Sequence, residues 1–412
     1  MRTALFALWA LPLCAAAVLL GCSIEEPYVD PSLPAATVAE LPPGSVVRSV
    51  FFIGDAGEPS RQRREPTFRA LEREASRNPE RTCVVFLGDN IYPSGLPREN
   101  DPERADAEWA LMEQLRILLA SRARGVFLSG NHDWDWGGDE GLEAVARQER
   151  FLQDSAAGLA RLLPPSGCPG PAVIDLDSTV RLVLLDTEWW LHAHAAGPDR
   201  QSECPVPATE LGVLTALADA IRDTQGRAVL VAGHHPLETY GSHGGFFPWE
   251  DHLFPLHRLE PWLWIPLPVI GSAYPVARRL GISDQDLAGA RNRHMVRCLD
   301  SVLATSPPLL YAAGHEHTLQ VLRGSRPFPL LVSGNGIEAH DDPLTTAPSM
   351  LFGDTDPGFM RVDITDDGRV RLGVIQPADD EGTPRESFSM WLRATATPSG
   401  DHPSPSQGRK NR

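Results

Sequence analysis

Short apolar runs of strand length recur along this chain, and most of them end at a glycine that a polar residue follows. Apolar residues at helical spacing separate the first of these runs, which cover residues 46–53, 82–87 and 125–128. Further runs cover residues 172–176, 181–185, 227–231, 309–313 and 330–332. The last two runs, residues 359–364 and 370–375, flank Asp366-Asp367-Gly368, which predicts a hairpin. Strands that first alternate with helices and later pair as hairpins predict a mixed, two-sheet α/β sandwich.

Helical spacing predicts where this sandwich carries its helices. One helix is predicted through residues 67–76, and a second begins near Asp101, which can cap it with Pro102 in the first turn. The second helix has one apolar face, formed by Met112, Leu115, Leu118 and Leu119. A later amphipathic helix is marked by Met295, Cys298, Leu299 and Val302. We expect these apolar faces to pack against the core.

Residues 244–282 do not follow this scheme, because aromatic residues are interleaved there with prolines. Proline removes a backbone donor and is excluded from helix interiors and central strands, so irregular structure is predicted. Three interpretations stay open: a flap over the core, a substrate lid, or a surface that rests on a membrane. With the helix that follows, residues 244–308 form an insertion in the domain.

The first 22 residues predict an export signal that does not belong to the fold. Arg2 precedes an apolar stretch that is shorter than the roughly 20 residues of a spanning helix. The stretch ends in Leu19-Leu20-Gly21-Cys22, which resembles a bacterial lipobox and implies cleavage before Cys22 and a lipid on its thiol. An ordinary signal peptide with an incidental cysteine is the alternative. The lipobox predicts an exported protein anchored to the cell envelope, at the outer membrane or the periplasmic face.

Composition divides the rest of the 412 residues into a Pro/Ala-rich tether over residues 23–45, one domain over residues 46–394 and a disordered tail over residues 395–412. The net charge of −17 argues against nucleic acid as a partner. Export places the cysteines in an oxidising compartment, where Cys168 and Cys204, both in proline-rich loops, can pair. Cys83 and Cys298 are predicted to be small buried hydrophobic residues.

Side chains that bind metals stand where the predicted strands end: Asp55, Asp89, Tyr92, Asn131, His132, His234, His315 and His317. Taken singly, each has an ordinary interpretation, because a Gly-Asp pair is commonly a turn and a histidine before proline is commonly a loop residue. Together they offer oxygen and imidazole donors without thiolate, which argues against a structural zinc site and suits catalytic Fe, Mn or Zn. The set is too large for one tetrahedral ion and suits two octahedral ions that share a carboxylate.

Five motifs in this order resemble those of the calcineurin-like metallophosphoesterases: GDAG at 54–57, GDN at 88–90, GNHD at 130–133, GHH at 233–235 and GHEH at 314–317. The resemblance covers about residues 46–375. The second motif continues to Tyr92 and matches the GDxxY of the purple acid phosphatases, the branch that the pattern resembles most. The resemblance implies an α/β/β/α sandwich with mixed sheets and a dinuclear metal centre.

The resemblance also implies a role for each matching residue. Asp55, Asp89, Tyr92 and His317 would hold one ion, and Asp89, Asn131, His234 and His315 would hold the other, with Asp89 as the bridge. The phenolate of Tyr92 favours iron in the first site, with Fe, Mn or Zn in the second. The two histidines that match the family's catalytic pair are His132 and His243. Asp133 is hypothesised to orient His132 or the metal shell.

Some features depart from the family pattern. Ala56 replaces an aromatic residue of the first motif, and the insertion after the fourth motif is long. Pro93-Ser94-Gly95 stands where the protein Ser/Thr phosphatases of the superfamily carry an arginine, which argues against that branch. The implied reaction is attack of a metal-bound hydroxide on a small-molecule phosphomonoester. The alternatives are a phosphodiesterase or nucleotide hydrolase with the same metal site, and a non-catalytic envelope-binding lipoprotein that keeps metals for stability.

Overall fold

A computed structural model describes residues 23–33, 45–193, 204–224, 226–258, 262–340 and 342–393 of the chain. The predicted export signal with Cys22, and the predicted disordered tail, lie outside the described residues. Within those ranges, no helix is both long and apolar enough to cross a membrane.

The described residues form strands and helices that alternate in the first half of the chain. The strands are β1 (Tyr28–Val29), β2 (Val46–Ile53), β3 (Thr82–Phe86), β4 (Arg124–Phe127), β5 (Ala160–Leu162), β6 (Ala172–Asp175), β7 (Val180–Leu184), β8 (Ala228–Ala232), β9 (Leu310–Ala313), β10 (Leu319–Leu322), β11 (Leu330–Ser333), β12 (Met350–Asp354), β13 (Phe359–Thr365), β14 (Val370–Pro377) and β15 (Pro384–Arg393). The helices are α1 (Pro66–Ser76), α2 (Arg104–Ser121), α3 (Gly141–Ser155), α4 (Glu188–Leu191), α5 (Glu210–Arg222), α6 (Trp249–Leu253), α7 (Ala273–Arg279) and α8 (Ala290–Leu303).

The strands form two mixed sheets that pack face to face. One sheet has the order β1-β12-β10-β11-β9-β8-β7-β6, and the other has the order β15-β14-β13-β2-β3-β4-β5. Strands β2 to β5 are parallel to one another, and so are β7, β8, β9 and β11. Strand β2 shows how the layers form, because Phe52 joins the core between the sheets while Phe51 faces the helices.

Helices cover both outer faces of this pair of sheets. Apolar residues of α1, α2 and α3 pack against β2, β3 and β4 on one side. Apolar residues of α5 and α8 pack against β7, β8 and β9 on the other side. The parallel strands are therefore buried on both faces, which explains their nearly continuous apolar sequences. The prediction of a two-sheet α/β/β/α sandwich with mixed sheets is confirmed.

Helix boundaries and the end of the chain depart from the sequence prediction. The second helix begins at Arg104 and not near Asp101, because Asp101 heads a turn: its carboxylate accepts from the backbone N–H of Glu103 at 2.9 Å. The hairpin of β13 and β14 does not close the fold, since β15 pairs with β14 along its whole length.

Two predictions of irregular structure also need correction. Residues 244–282 contain the short helices α6 and α7, and Pro275 is tolerated because it lies in the first turn of α7. The first part of the predicted tether lies on the domain, where Ile24 N–H donates to Leu344 O at 2.7 Å and β1 pairs with β12.

The cysteines behave largely as the sequence indicated. Cys168 and Cys204 form a disulfide, with their Cα atoms 5.7 Å apart. Cys83 is buried in β3, as predicted. Cys298 is only half-buried on α8, so the prediction that it is a core residue is wrong.

Candidate metal centre

The predicted ligands lie at the carboxyl ends of parallel strands in both sheets. Asp55, Asp89 and Asn131 follow β2, β3 and β4 of one sheet. His234 and His315 follow β8 and β9 of the other sheet. Because the two sheets stack, their loops meet at one edge, which is where α/β folds place their sites.

Backbone strain marks this edge. Asp55, Asp89 and His315 have φ values of +55°, +52° and +68°, in the left-handed region that non-glycine residues rarely adopt. Such strain persists only where the surroundings hold it, and it is common at functional sites. The strand-end loops therefore hold these three residues in strained conformations, at a cost in local stability, with their side chains directed toward the site.

The donor atoms of the first predicted ligand set converge. Tyr92 Oη lies 3.3 Å from Asp55 Oδ1, 3.4 Å from Asp89 Oδ2 and 3.2 Å from His317 Nε2. His317 Nε2 lies 3.6 Å from Asp55 Oδ1. Octahedral bonds of about 2.1 Å place neighbouring donors about 3 Å apart, so this set fits around one ion. We call it the first donor pocket.

The second predicted set converges in the same way. Asn131 Oδ1 lies 3.0 Å from His234 Nε2 and 3.0 Å from His315 Nδ1. The two imidazole nitrogens are 3.2 Å apart. Asp89 Oδ2 lies 3.4 Å from His234 Nε2, so the same carboxylate oxygen borders both sets. These four residues form the second donor pocket, and they fit a second ion next to the first.

Two glycines allow this close approach. A side chain at Gly130 would begin 2.2 Å from Asp89 Oδ1. A side chain at Gly88, whose φ is +100°, would begin 2.6 Å from His234 Nδ1. The glycines of the second and third motifs are therefore required by crowding around the shared carboxylate as well as by the turns.

Each of the three histidines predicted as ligands is held through its other ring nitrogen. His234 Nδ1 lies 2.9 Å from Leu87 O, and His315 Nε2 lies 2.9 Å from Gln285 O. His317 Nδ1 lies 2.6 Å from Asp342 Oδ2. A hydrogen bond donated from the outer nitrogen leaves the inner nitrogen with its lone pair toward the donor pockets, as metal ligation requires.

Electrostatics at the centre favour bound cations. Burial alone would lower the pKa of His234, but the carboxylates of Asp89 and Asp55 outweigh it and raise the pKa to about 10. Burial likewise opposes a charge on His317, yet Asp342 and Asp55 raise its pKa well above the ordinary value. Without metal, protons on these imidazoles balance the buried carboxylates, and a metal ion would replace those protons.

Asp133 fixes the loops of the second and third motifs. Its Oδ2 accepts from Gly130 N–H at 2.8 Å, and its Oδ1 accepts from Asn90 N–H at 3.1 Å. These two residues adjoin Asn131 and Asp89 in sequence. Burial raises the pKa of Asp133 to about 7, and nearby Asp89 adds to the effect. Asp133 thus acts on the backbone beside the predicted ligands.

The predicted catalytic histidines lie on opposite sides of the centre. The His132 ring lies 4.1 Å from the Tyr92 ring, and its Nδ1 lies 2.6 Å from Pro93 O. Burial lowers the pKa of His132. The His243 ring lies 4.0 Å from that of His315. Each histidine is therefore beside a different donor pocket.

Several residues at the site were not predicted from the sequence. The His340 ring lies 3.7 Å from the His317 ring, and His340 Nε2 lies 3.0 Å from Asp55 O. Asp342 holds His317, as described above. Both follow β11, so the strand-end pattern could have indicated them. Asp286 and Gln285 lie in a loop before α8, and no sequence pattern distinguishes them.

Gln285 and Glu188 form a polar support behind the second donor pocket. Gln285 Oε1 lies 2.7 Å from His235 Nε2, and Gln285 Nε2 donates to both oxygens of Glu188 at 3.2 and 3.1 Å. Burial raises the pKa of Glu188 to about 8. The chain segment before α8 therefore closes this side of the centre.

Comparison with curated proteins identifies distant relatives. The chain is 23% identical over 359 residues to purple acid phosphatase 4 of Arabidopsis thaliana, and the match covers 85% of each chain. No family model matches the chain. At this identity the relationship is distant, and it supports the metallophosphoesterase superfamily that the motifs indicate.

Two solved structures resemble this chain at low sequence identity. The Plasmodium protein GAP50, described as the anchor in the inner membrane complex, has a TM-score of 0.51 and 14% identity, over 85% of this chain and 90% of that one. A purple acid phosphatase from yellow lupin seeds, Lupinus luteus, has a TM-score of 0.49 and 13% identity, over 87% and 58% of the two chains. The first likeness extends to nearly the whole of both chains and shows the fold.

Proposed function

We propose that this protein is a phosphomonoesterase that uses two metal ions. The observation that carries the proposal is the position of Asp89, whose Oδ2 lies 3.4 Å from both Tyr92 Oη and His234 Nε2. One carboxylate oxygen shared by two donor pockets is the arrangement expected for adjacent ions. When bound, two such ions lower the pKa of water and neutralise charge on a phosphoryl group.

The two flanking histidines have different parts in this proposal. His132 is held by Pro93 O through Nδ1, and burial disfavours its charged form, so it positions a phosphoryl oxygen by hydrogen bonding. His243 Nδ1 lies 3.0 Å from Asp286 Oδ1, which orients the ring. His243 would then donate a proton from Nε2 to the leaving alkoxide.

The metals and the site of action are also part of the proposal. The first donor pocket, with a phenol and two carboxylates, suits iron, and the second suits Fe, Mn or Zn. The substrate would be a small phosphate ester.

We further propose that a lipid on Cys22 anchors the protein to the cell envelope. Cys22→Ser should release the protein from membranes, and membrane retention of this variant would contradict the anchor.

A comparison of two esters tests the reaction. Residues 23–412, supplied with iron, manganese or zinc, should hydrolyse an aryl phosphomonoester faster than the matching diester. The described fold begins at Ser23, so this chain contains both sheets and all the donor residues. Preference for the diester would replace the proposal with a phosphodiesterase. A metal-loaded protein that hydrolyses neither ester would favour the non-catalytic binding protein.

A further inference from the structure

A cavity of about 510 Å³ lies beside the candidate metal centre, under the insertion. Most of its wall is apolar: Phe247, Pro255, Leu256, Tyr274 and Pro343. Three polar wall residues connect it to the centre, since Asp342 holds His317, Arg278 holds Asp286, and Ser242 donates to Glu316 at 3.2 Å. The cavity therefore adjoins both the first donor pocket and His243.

The charged side chains on this wall are neutralised by partners. Asp342 pairs with His317 at 2.6 Å, and Asp251 pairs with His257 at 3.2 Å. Arg278 forms a two-pronged ion pair with Asp286 and also lies over the Tyr274 ring at 5.5 Å. A ligand in this cavity meets apolar surface and paired charges, which favours an uncharged, apolar group.

A second cavity, of about 640 Å³, borders Tyr92 and offers a different environment. Its wall carries Arg61 and five carboxylates, those of Glu58, Glu65, Glu103, Asp106 and Glu338. Asp106 pairs with Arg61 and Glu338 pairs with Arg63, but the wall remains more polar than that of the first cavity, so it suits an apolar group less well. An apolar leaving group therefore fits the cavity under the insertion better than the second cavity, which we call the acidic cavity.

We propose that the cavity under the insertion binds an apolar, uncharged leaving group, so that the substrate is a phosphate monoester of an apolar alcohol. This inference rests on the proposed phosphohydrolase function. An alkoxide leaving toward this cavity would depart beside His243, the proposed proton donor. The insertion would then decide which ester is cleaved, while the metal centre cleaves it.

The test compares octyl phosphate with ethyl phosphate, whose leaving alkoxides have similar basicity. The wild-type protein should prefer octyl phosphate by at least about tenfold in kcat/KM, because burial of each added methylene is favourable. Phe247→Ala should reduce the preference several-fold. Tyr274→Ala should act likewise, and since Tyr274 is 60% exposed its replacement leaves the fold intact. Trp109→Ala, in the wall of the acidic cavity, is the matched control.

The outcomes separate the two proposals. Hydrolysis of both esters with equal kcat/KM, unchanged by Phe247→Ala, would overturn the cavity assignment and leave the phosphohydrolase standing. If Trp109→Ala lost the preference for octyl phosphate while Phe247→Ala and Tyr274→Ala kept it, the leaving group would be assigned to the acidic cavity. Hydrolysis of the aryl phosphomonoester but of neither alkyl ester would also overturn the cavity assignment, whereas hydrolysis of none of the three by the metal-loaded protein would overturn the proposed function itself.

The outer face of the same insertion carries a second inference. Ten of the fourteen large hydrophobic residues that are exposed in the described part of the chain lie between residues 249 and 282. The most exposed are Val269 at 86%, Leu280 at 79%, Ile282 at 74%, Trp262 at 73% and Ile270 at 71%. A face of this kind marks an interaction surface, and tryptophan among aliphatic residues suits the boundary of a bilayer.

The position of Ser23 indicates what covers this face. Ser23 follows the proposed lipidation site, and its Oγ donates to Leu344 O at 3.4 Å. Leu344 adjoins Pro343, which shares the cavity wall with Phe247 and Tyr274 of the insertion. A lipid on Cys22 would hold the bilayer on this side. We infer that the insertion rests on a lipid bilayer.

Binding to phosphatidylcholine vesicles tests this inference, using residues 23–412 without a lipid. The wild-type chain should sediment with the vesicles. Ile270→Glu should reduce the partition coefficient about tenfold, because a charge is costly in the interface. Leu211→Glu, at an equally exposed site on α5, should bind as the wild type does. Absence of wild-type binding would overturn the inference, and self-association through this face without vesicle binding would replace it with a dimer.

Discussion

The two donor pockets differ in charge and in what supports them. The first combines the carboxylates of Asp55 and Asp89 with the phenol of Tyr92, and a further carboxylate, Asp342, stands behind His317. The second combines the amide of Asn131 with two imidazoles, and backbone carbonyl oxygens stand behind both imidazoles.

This difference indicates a division between the ions. Negative charge collected around the first donor pocket would stabilise an ion of higher charge, whereas the largely neutral second donor pocket would suit a divalent ion. Asp89 alone belongs to both, so it couples them. Five predictions test this comparison.

Loss of the shared carboxylate should have the largest effect. Asp89→Ala removes a donor from both pockets, so hydrolysis of an aryl phosphomonoester should fall about a thousandfold. Metal analysis should show both ions reduced. Asp154→Ala, on an exposed turn of α3, is the matched control. Full activity in Asp89→Ala would remove the basis for a coupled pair of pockets.

Acidification should weaken metal binding in both pockets. The pKa of His234 is raised to about 10 and that of His317 is raised well above its ordinary value, so each metal ion must displace a proton at neutral pH. Apparent affinity should fall about hundredfold from about pH 8 to about pH 6 for one displaced proton. Equilibrium dialysis against a metal buffer measures this slope, and a flat profile would contradict it.

Stability of the metal-free protein should respond to pH with a defined sign. Because the folded-state pKa of His234 exceeds the ordinary 6.5, its contribution is fully present below pH 6.5 and is lost as the pH rises through about 10. Denaturant unfolding should show that the free energy of unfolding falls as the pH rises through that window. In His234→Gln this fall should be smaller.

Replacement of the carboxylate behind His317 should affect one pocket only. Asp342→Asn keeps the shape but weakens the hold on His317, so affinity for the ion of the first donor pocket should fall about tenfold. The second ion should bind as before. Stepwise metal titration distinguishes the two, and equal weakening of both steps would argue against separate pockets.

The smallest effect is expected from Asp286→Asn. The structure makes Asp286 a positioning residue for His243, at 3.0 Å, and its loss should lower kcat several-fold with little change in KM. Metal content should stay unchanged. A change in KM alone would assign Asp286 to substrate binding.

Sequence patterns identified the strands of the centre well, because each strand is a short apolar run that ends in a turn. Strand β2 was predicted with its observed bounds. The start of α2 was predicted near Asp101, but Asp101 lies in a turn and the helix begins at Arg104. The edge strands β1 and β15 were not predicted, since edge strands carry weak apolar patterns and form only where a neighbour accepts their hydrogen bonds.

The sequence by itself determined which side chains are candidate metal donors. In each motif a strand, a glycine and a candidate ligand lie within a few residues, so a short stretch of sequence is enough to identify it. Only the tertiary structure decided what surrounds them. Asp286 reaches His243 across 43 residues of chain, and the cavity joins the insertion to Pro343. Such contacts depend on how distant segments pack, and packing leaves no short-range pattern in the sequence.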